Sequence, residues 1–332
     1  MRLKVAAVAA LILVAAAVAV YALRRSRAAS VTVAAASPEL IAQLRRDVGA
    51  LCGIGQRNTF VPENLTAARD LIVRELAAAG YTPELQTYPV AQDGVSVSNV
   101  IVEIRGATRP DEIVVIGAHY DTVEETPGAD DNASGVAALL ALARRSAGSH
   151  PSRTVRFVAF ANEEPPHFQT QDMGSWQYAK RCRDRGETIV AMLSLESLGY
   201  YDPAPHSQHY PALLGALYPD RADFIAFVAN LRSRRLNADC VRAFRRRTAF
   251  PLQTLSAPEA ITGVGWSDQW SFWQFGYPAV MVSDTVPFRN PHYHQPTDTP
   301  ETLDYARMGE VVEGLAGVVE GLTGGGVIPP PN

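Results

Sequence analysis

Four unbroken apolar runs constrain this chain more than any other feature, because each one stops at histidine or acid. Glu112-Ile-Val-Val-Ile-Gly-Ala118 ends in His119-Tyr120-Asp121, and Thr154-Val-Arg-Phe-Val-Ala-Phe-Ala161 leads to Glu163-Glu164. Thr188-Ile-Val-Ala-Met-Leu-Ser-Leu195 ends in Glu196, and Pro278-Ala-Val-Met-Val-Ser283 leads through a loop to His292-Tyr293-His294. Continuous apolar runs of this length fit strands covered on both faces. Helical patterns lie between them, as βαβ units require. The expected fold is therefore α/β, a three-layer αβα arrangement around a central, mostly parallel mixed sheet. In such sheets ligands bind beyond the carboxyl ends of the strands. The polar residues thus collect where the fold makes a site.

Two adjacent carboxylates at the end of a buried strand repel each other unless cations hold them, since charge avoids the interior when unpaired. Glu163 and Glu164 suggest a division of labour, one on a metal and one acting as a base. The plainer reading is a solvated turn. A further element, Gly128-Ala-Asp130-Asp131-Asn132-Ala-Ser134-Gly135, leads into the apolar stretch Val136–Ala143. Its composition fits a helix N-cap with a spare acid.

Taken in order, these motifs resemble the M28 family of zinc aminopeptidases over roughly Arg57 to Leu322. The resemblance rests on His119-x-Asp121, Asp131-Asn-x-Ser-Gly135, Glu163-Glu164, Glu196, Ser267-Asp268, Trp273, Gly276-Tyr277-Pro278-Ala279 and Tyr293-His294-x-x-x-Asp298-Thr299. It implies a peptide-cleaving enzyme with two zinc ions. Asp131 would bridge both, Glu164 and His294 would complete one set of ligands, and His119 and Glu196 the other. Glu163 would be the general base, and Asp121 would orient His119. Residues i and i+2 of an extended segment face the same way, which allows that contact. His292 competes with His294 as a ligand; the motif register favours His294. Glu196 stands where many relatives carry aspartate, and Gln269 where many carry histidine. Two other readings use the same fold: a glutaminyl-cyclase-like acyl transferase with one zinc, and a non-catalytic ectodomain. The full ligand set favours the peptidase.

The long segment between Glu196 and His294 carries many aromatics and arginines. It reads as a packed subdomain, or as a substrate wall in which an arginine meets a carboxylate. A net charge of −4 gives no nucleic-acid footprint. Cys52, Cys182 and Cys240 lack metal-type spacing and allow at most one internal disulfide. No Gly-x-Ser-x-Gly elbow points to serine hydrolysis.

Ahead of the catalytic region, Val5–Leu23 forms an apolar run of 19 residues, long enough to span a bilayer, with Arg2 and Lys4 before it and Arg24, Arg25 and Arg27 after it. Basic flanks on both sides leave the orientation open. The expected organisation is a membrane anchor over residues 1–27, a linker over 28–38, a peptidase domain over 39–323 and a flexible tail over 324–332. The catalytic domain is expected outside the cytoplasm, where small peptides are plentiful. The alternative is secretion after cleavage near Ala34-Ala35-Ala36. The full chain should fractionate with membranes, and a chain beginning after Arg27 should stay in the supernatant. Recovery of a mature N-terminus near Ser37 would replace the anchor with a secreted form.

Overall fold

The structure is a computed structural model that describes residues 35–211 and 214–324. The apolar segment Val5–Leu23, most of the linker and nearly all of the tail lie outside the described residues. Among the described residues, no helix is long and apolar enough to cross a membrane.

Helix α1 spans Pro38–Cys52, with the Ser37 side chain accepting from Leu40 N at its start. Helix α2 spans Pro62–Ala78, with proline in its first turn. An antiparallel pair follows, β1 (Glu84–Val90) and β2 (Val95–Ile104). Then come β3 (Arg109–His119), α3 (Gly135–Ser146), β4 (Arg153–Phe160), α4 (Gly174–Asp184) and β5 (Thr188–Glu196). The remainder is β6 (Ile225–Ala229), α5 (Arg234–Arg247), β7 (Leu252–Ser256), α6 (Gln269–Gln274), β8 (Ala279–Ser283) and α7 (Tyr305–Thr323).

All eight strands form one sheet, in the order β1-β2-β4-β3-β5-β8-β6-β7. The centre β4-β3-β5-β8 is parallel throughout, whereas β2 and β6 run against their central neighbours. The four apolar runs of the sequence are these four central strands. The sheet is mixed, as expected. The accessory segment after Glu196 does more than form a wall, because it extends the same sheet by β6 and β7.

Alternate residues of the central strands feed two separate cores. Val114, Ile116, Phe157, Leu193 and Val282 pack on one face with Leu44, Ile72, Leu139, Phe244 and Leu315 from α1, α2, α3, α5 and α7. Val115, Val158, Phe160, Met192 and Met281 pack on the other with Tyr178 of α4 and Phe272 of α6. Helices thus cover both faces, which explains why the strands are apolar on both. The arginines of α5 project from the outer side of that helix. Of them, Arg247 reaches Glu313 and Glu320 of α7, and none lines the large cavity described below.

Glycine marks a close contact between α5 and α7. A Cβ at Gly314 of α7 would lie 2.2 Å from the Phe244 ring, which is fully buried. At Gly49 of α1 nothing lies within 4 Å of that position. The two Gly→Ala substitutions should therefore differ in sign. Gly49→Ala should stabilise by about 0.5–1 kcal/mol through helix propensity. Gly314→Ala should destabilise by about 1–3 kcal/mol through overpacking. Urea midpoints of the two variants check this.

Candidate metal centre and active site

His119 is the last residue of β3 and Glu196 the last of β5, and Glu163 and Glu164 follow β4 by three and four residues. Adjacent parallel strands therefore deliver all four side chains to one edge. His119 Nε2 lies 3.2 Å from Asp131 Oδ1 and 3.2 Å from Glu196 Oε2. His294 Nε2 lies 3.2 Å from Asp131 Oδ2 and 3.3 Å from Glu164 Oε2. Two donor sets thus meet at one aspartate, each using a different oxygen of it. His119 is fully buried, and Asp131, Glu164 and Glu196 are nearly so.

The turn that presents Asp131 is more than the helix cap that its composition suggests. Asp131 and Asn132 have non-helical backbone angles, and Asn132 Oδ1 accepts the first N–H of α3, that of Gly135, at 3.1 Å. Asn132 also ties the turn to β5. Its Nδ2 donates to Leu195 O, and its Oδ1 accepts from Ser197 N at 3.0 Å, on either side of Glu196. Asp298 accepts from Asp130 N and Asp131 N at 2.9 and 3.1 Å. Arg57 is fully buried and donates to the carbonyls of Tyr120, Pro127 and Gly128, holding the loop between His119 and Asp131. Neither Arg57 nor Asn132 stands out by residue type. Their roles depend on contacts 63–71 residues away in sequence.

Asp121 serves two groups. Its Oδ1 lies 3.5 Å from His119 Nδ1, at the outer limit of a hydrogen bond. Its two oxygens accept the backbone N–H groups of Glu163 and Glu164, each at 3.0 Å. Glu196, despite its longer side chain, is fixed by Ser197 Oγ on one oxygen and by Ser267 Oγ at 2.7 Å on the other. His292 stands apart: its Nδ1 bonds Thr297 Oγ1, and it belongs to none of the clustered ligand groups. Gln269 is buried and donates to Val264 O, so it supports the cavity wall rather than the donor sets.

The electrostatics are those of crowded acids. Burial pushes Glu163 well above the usual carboxylate range, and Glu164 and Glu196 push it further. Burial and Asp131 push Glu164 up to about 8. Burial raises Asp268, beneath the site, to about 7. Asp131 goes the other way. Burial favours its neutral form, yet the imidazoles of His119 and His294 hold it below the ordinary value. Burial opposes charge on His294, but Asp131 and Glu164 raise it to about 10.

Metal ions fit this arrangement. His119 Nε2, Asp131 Oδ1, Glu164 Oε1 and His294 Nε2 are buried with no hydrogen-bond partner. Ligand bonds of 2.0–2.1 Å in a tetrahedral shell put neighbouring donors ~3.3 Å apart, the spacing found in both sets. Three groups of side chains bring their ligand atoms together: His119–Asp131–Glu196, Asp131–Glu164–His294 and His119–Glu163–Glu164. The third overlaps the other two and includes Glu163, whose Oε2 is 4.0 Å from His119 Nε2. Asp131, Glu163, Glu164, Glu196 and His294 line a cavity of about 280 Å³. Beyond them the walls are apolar or neutral, among them Phe168, Tyr210, Phe224, Val228, Trp266 and Met281. Among the described residues, no lysine or arginine lines it.

Histidine and carboxylate donors around a dication, with a free carboxylate beside them, make up the working parts of a metal-dependent hydrolase. The model of peptidase family M28 matches residues 99–319. The chain belongs to that family and is a zinc metallopeptidase. It is 36% identical over 290 residues to the uncharacterized protein YfbL of Escherichia coli K12, an alignment covering 84% of this chain and 87% of that protein. It is 27% identical over 238 residues to the probable aminopeptidase YDR415C of Saccharomyces cerevisiae, covering 67% of this chain and 56% of the yeast protein. The aminopeptidase from Aneurinibacillus sp. strain AM-1 is similar in structure, with a TM-score of 0.65 and 18% identity over 88% of this chain and 96% of that one. A glutaminyl cyclase from Fimbriiglobus ruber has a TM-score of 0.64 and 20% identity over 86% and 96%. These two structural likenesses show a shared fold.

The glutamate pair makes a direct test. Glu163→Gln should keep its metal and lower kcat by ~10²–10⁴-fold, the usual worth of a general base. Glu164→Gln should lower the metal content, because a neutral amide is a poorer partner for a dication. Metal analysis beside kcat decides it, and the reverse pattern exchanges the two roles.

Proposed function

We propose that the chain is a di-zinc aminopeptidase that removes residues with apolar side chains from the N-termini of peptides. One observation carries this reading: two donor sets share Asp131 in the lining of an apolar cavity. His119, Asp131 and Glu196 hold one ion, and Asp131, Glu164 and His294 the other. Bound there, the ions supply Lewis acidity and make an attacking water acidic near neutral pH. Glu163 takes the proton from that water as its oxygen bonds the carbonyl carbon, then passes it to the departing amine as the C–N bond breaks. Asp121 holds the His119 ring and, through two backbone bonds, the placement of Glu163 and Glu164. The carboxylates around the ions attract an α-ammonium, and among the described residues the cavity wall offers a substrate carboxylate no lysine or arginine. That favours the amino end of a peptide over its carboxyl end. The apolar walls receive the terminal side chain. We further propose that residues 5–23 anchor the enzyme with its catalytic domain outside the cytoplasm.

The purified chain should hold close to two zinc ions and hydrolyse leucine and phenylalanine p-nitroanilides faster than the lysine or glutamate compounds. N-acetylation of the substrate should abolish turnover, as should a chelator, and zinc should restore it. Active protein with no stoichiometric metal sinks this reading. Cyclisation of glutaminyl peptides without hydrolysis transfers the chain to the glutaminyl-cyclase type.

A further inference from the structure

His167 is buried but belongs to neither donor set and does not line the cavity. Its ring nevertheless joins two distant segments. Nε2 lies 2.9 Å from Asp93 Oδ2 and 3.2 Å from Thr59 Oγ1, and Gln92 Nε2 lies 3.1 Å from Nδ1. Gln92 and Asp93 form the turn between β1 and β2, and Thr59 precedes α2. An amide N–H facing Nδ1 makes that nitrogen the acceptor, which leaves Nε2–H to donate to Thr59 Oγ1, with the Asp93 carboxylate close beside it. Asp93 Oδ2 is buried and makes no hydrogen bond of its own among the described residues, so the ring is its polar neighbour there. The backbone of His167 completes the link: its N–H donates to Glu164 O at 2.9 Å.

The loop carrying the two glutamates is therefore held at both ends. Asp121 holds its front through the N–H groups of Glu163 and Glu164. At its rear, the segment Glu164–Phe168 is tied to the β1–β2 turn by one imidazole. Between these ties Pro165 and Phe168 face the cavity. We propose that His167 is a positioning residue, which clamps the glutamate loop to the β1–β2 turn and thereby sets Glu163 and Glu164 against the metal ions. The inference rests on the assignment of Glu163 as base and Glu164 as ligand. A rigid ring with a donor at one nitrogen and an acceptor at the other suits the two unlike partners. Glutamine retains a donor for Thr59 and Asp93 and an acceptor for Gln92, and so preserves the polar character of the tie.

The test compares the full-length, zinc-loaded chain with His167→Ala, His167→Gln, Asp93→Ala and the double variant His167→Ala/Asp93→Ala. The measurements are kcat and KM on leucine p-nitroanilide and the affinity for each zinc by chelator competition. A loosened loop should cost His167→Ala about 10–100-fold in kcat, since displacements near 1 Å have effects of that order. KM should change by less than about threefold, because the cavity walls come mostly from other segments. One zinc should weaken and the other stay bound. His167→Gln should restore most of the loss. The double variant should be no worse than His167→Ala alone, as expected for two partners of one contact. Wild-type kcat and zinc affinities in His167→Ala overturn the proposal. So does a parallel loss of kcat, both ions and Tm that glutamine does not rescue. If His167→Ala does not fold, Asp93→Ala decides by the same criteria, since Asp93 lies in a partly exposed turn outside both hydrophobic cores. Absence of zinc-dependent hydrolysis in the wild-type chain itself is a different result, which removes the functional reading on which the proposal stands.

Discussion

Nine carboxylates crowd the carboxyl edge of one sheet: Asp121, Asp130, Asp131, Glu163, Glu164, Glu196, Asp268, Asp284 and Asp298, none more than 6% exposed. Everything around the site answers that concentration of charge. Burying an ionised carboxylate without a partner costs several kcal/mol. The fold meets that cost with backbone N–H groups at Asp121 and Asp298, with imidazoles at Asp131 and Glu164, and with hydroxyls at Glu196. Two buried guanidiniums, Arg57 and Arg289, sit within the same edge and bond mainly to carbonyls and neutral side chains. The crowding raises Glu163 and Glu164 above the usual carboxylate range, and dications held there would relieve the repulsion. Affinity for zinc is in this sense a property of the folded core.

The parts legible in the sequence are those with a local signature. Central parallel strands are covered on both faces, so they read as apolar runs, and the residue ending each run marks the site edge. His119, Glu163, Glu164 and Glu196 were found in that way. His294 and Asp131 follow no strand directly and needed the motif register to be chosen over neighbours such as His292. The outer strands were not read. β1 is an edge strand with a mostly exposed pattern and a proline near its end, and β6 and β7 are only five residues each. The supports were illegible for a different reason. Asn132 was visible only as part of the Asp131-Asn-x-Ser-Gly135 motif, Arg57 and His167 carried no signal, and each owes its role to partners more than 60 residues away. No local pattern encodes such a contact.

The accessory segment builds much of the cavity wall. Phe224, Val228 and Leu255 come from or beside β6 and β7, strands that extend the sheet past the parallel centre. The wall is thus an extension of the main hydrophobic framework and shares its rigidity. Val264 and Trp266 enter from the loop before α6, held from below by buried Gln269. The residue that departs from the family pattern at that position therefore acts on the substrate side of the site.

The clasp of Asp298 on the Asp130–Asp131 backbone spans 167 and 168 residues of chain. It joins the first half of the donor array to the segment that carries His294. A ribosome releases the chain from its amino end, so for most of synthesis the nascent protein has Asp131 but not the residues that complete and brace the second donor set. The full hydrolytic centre arises only when the closing helix of the domain is about to be made. The domain cannot bring its two donor sets together until its whole sheet has been made.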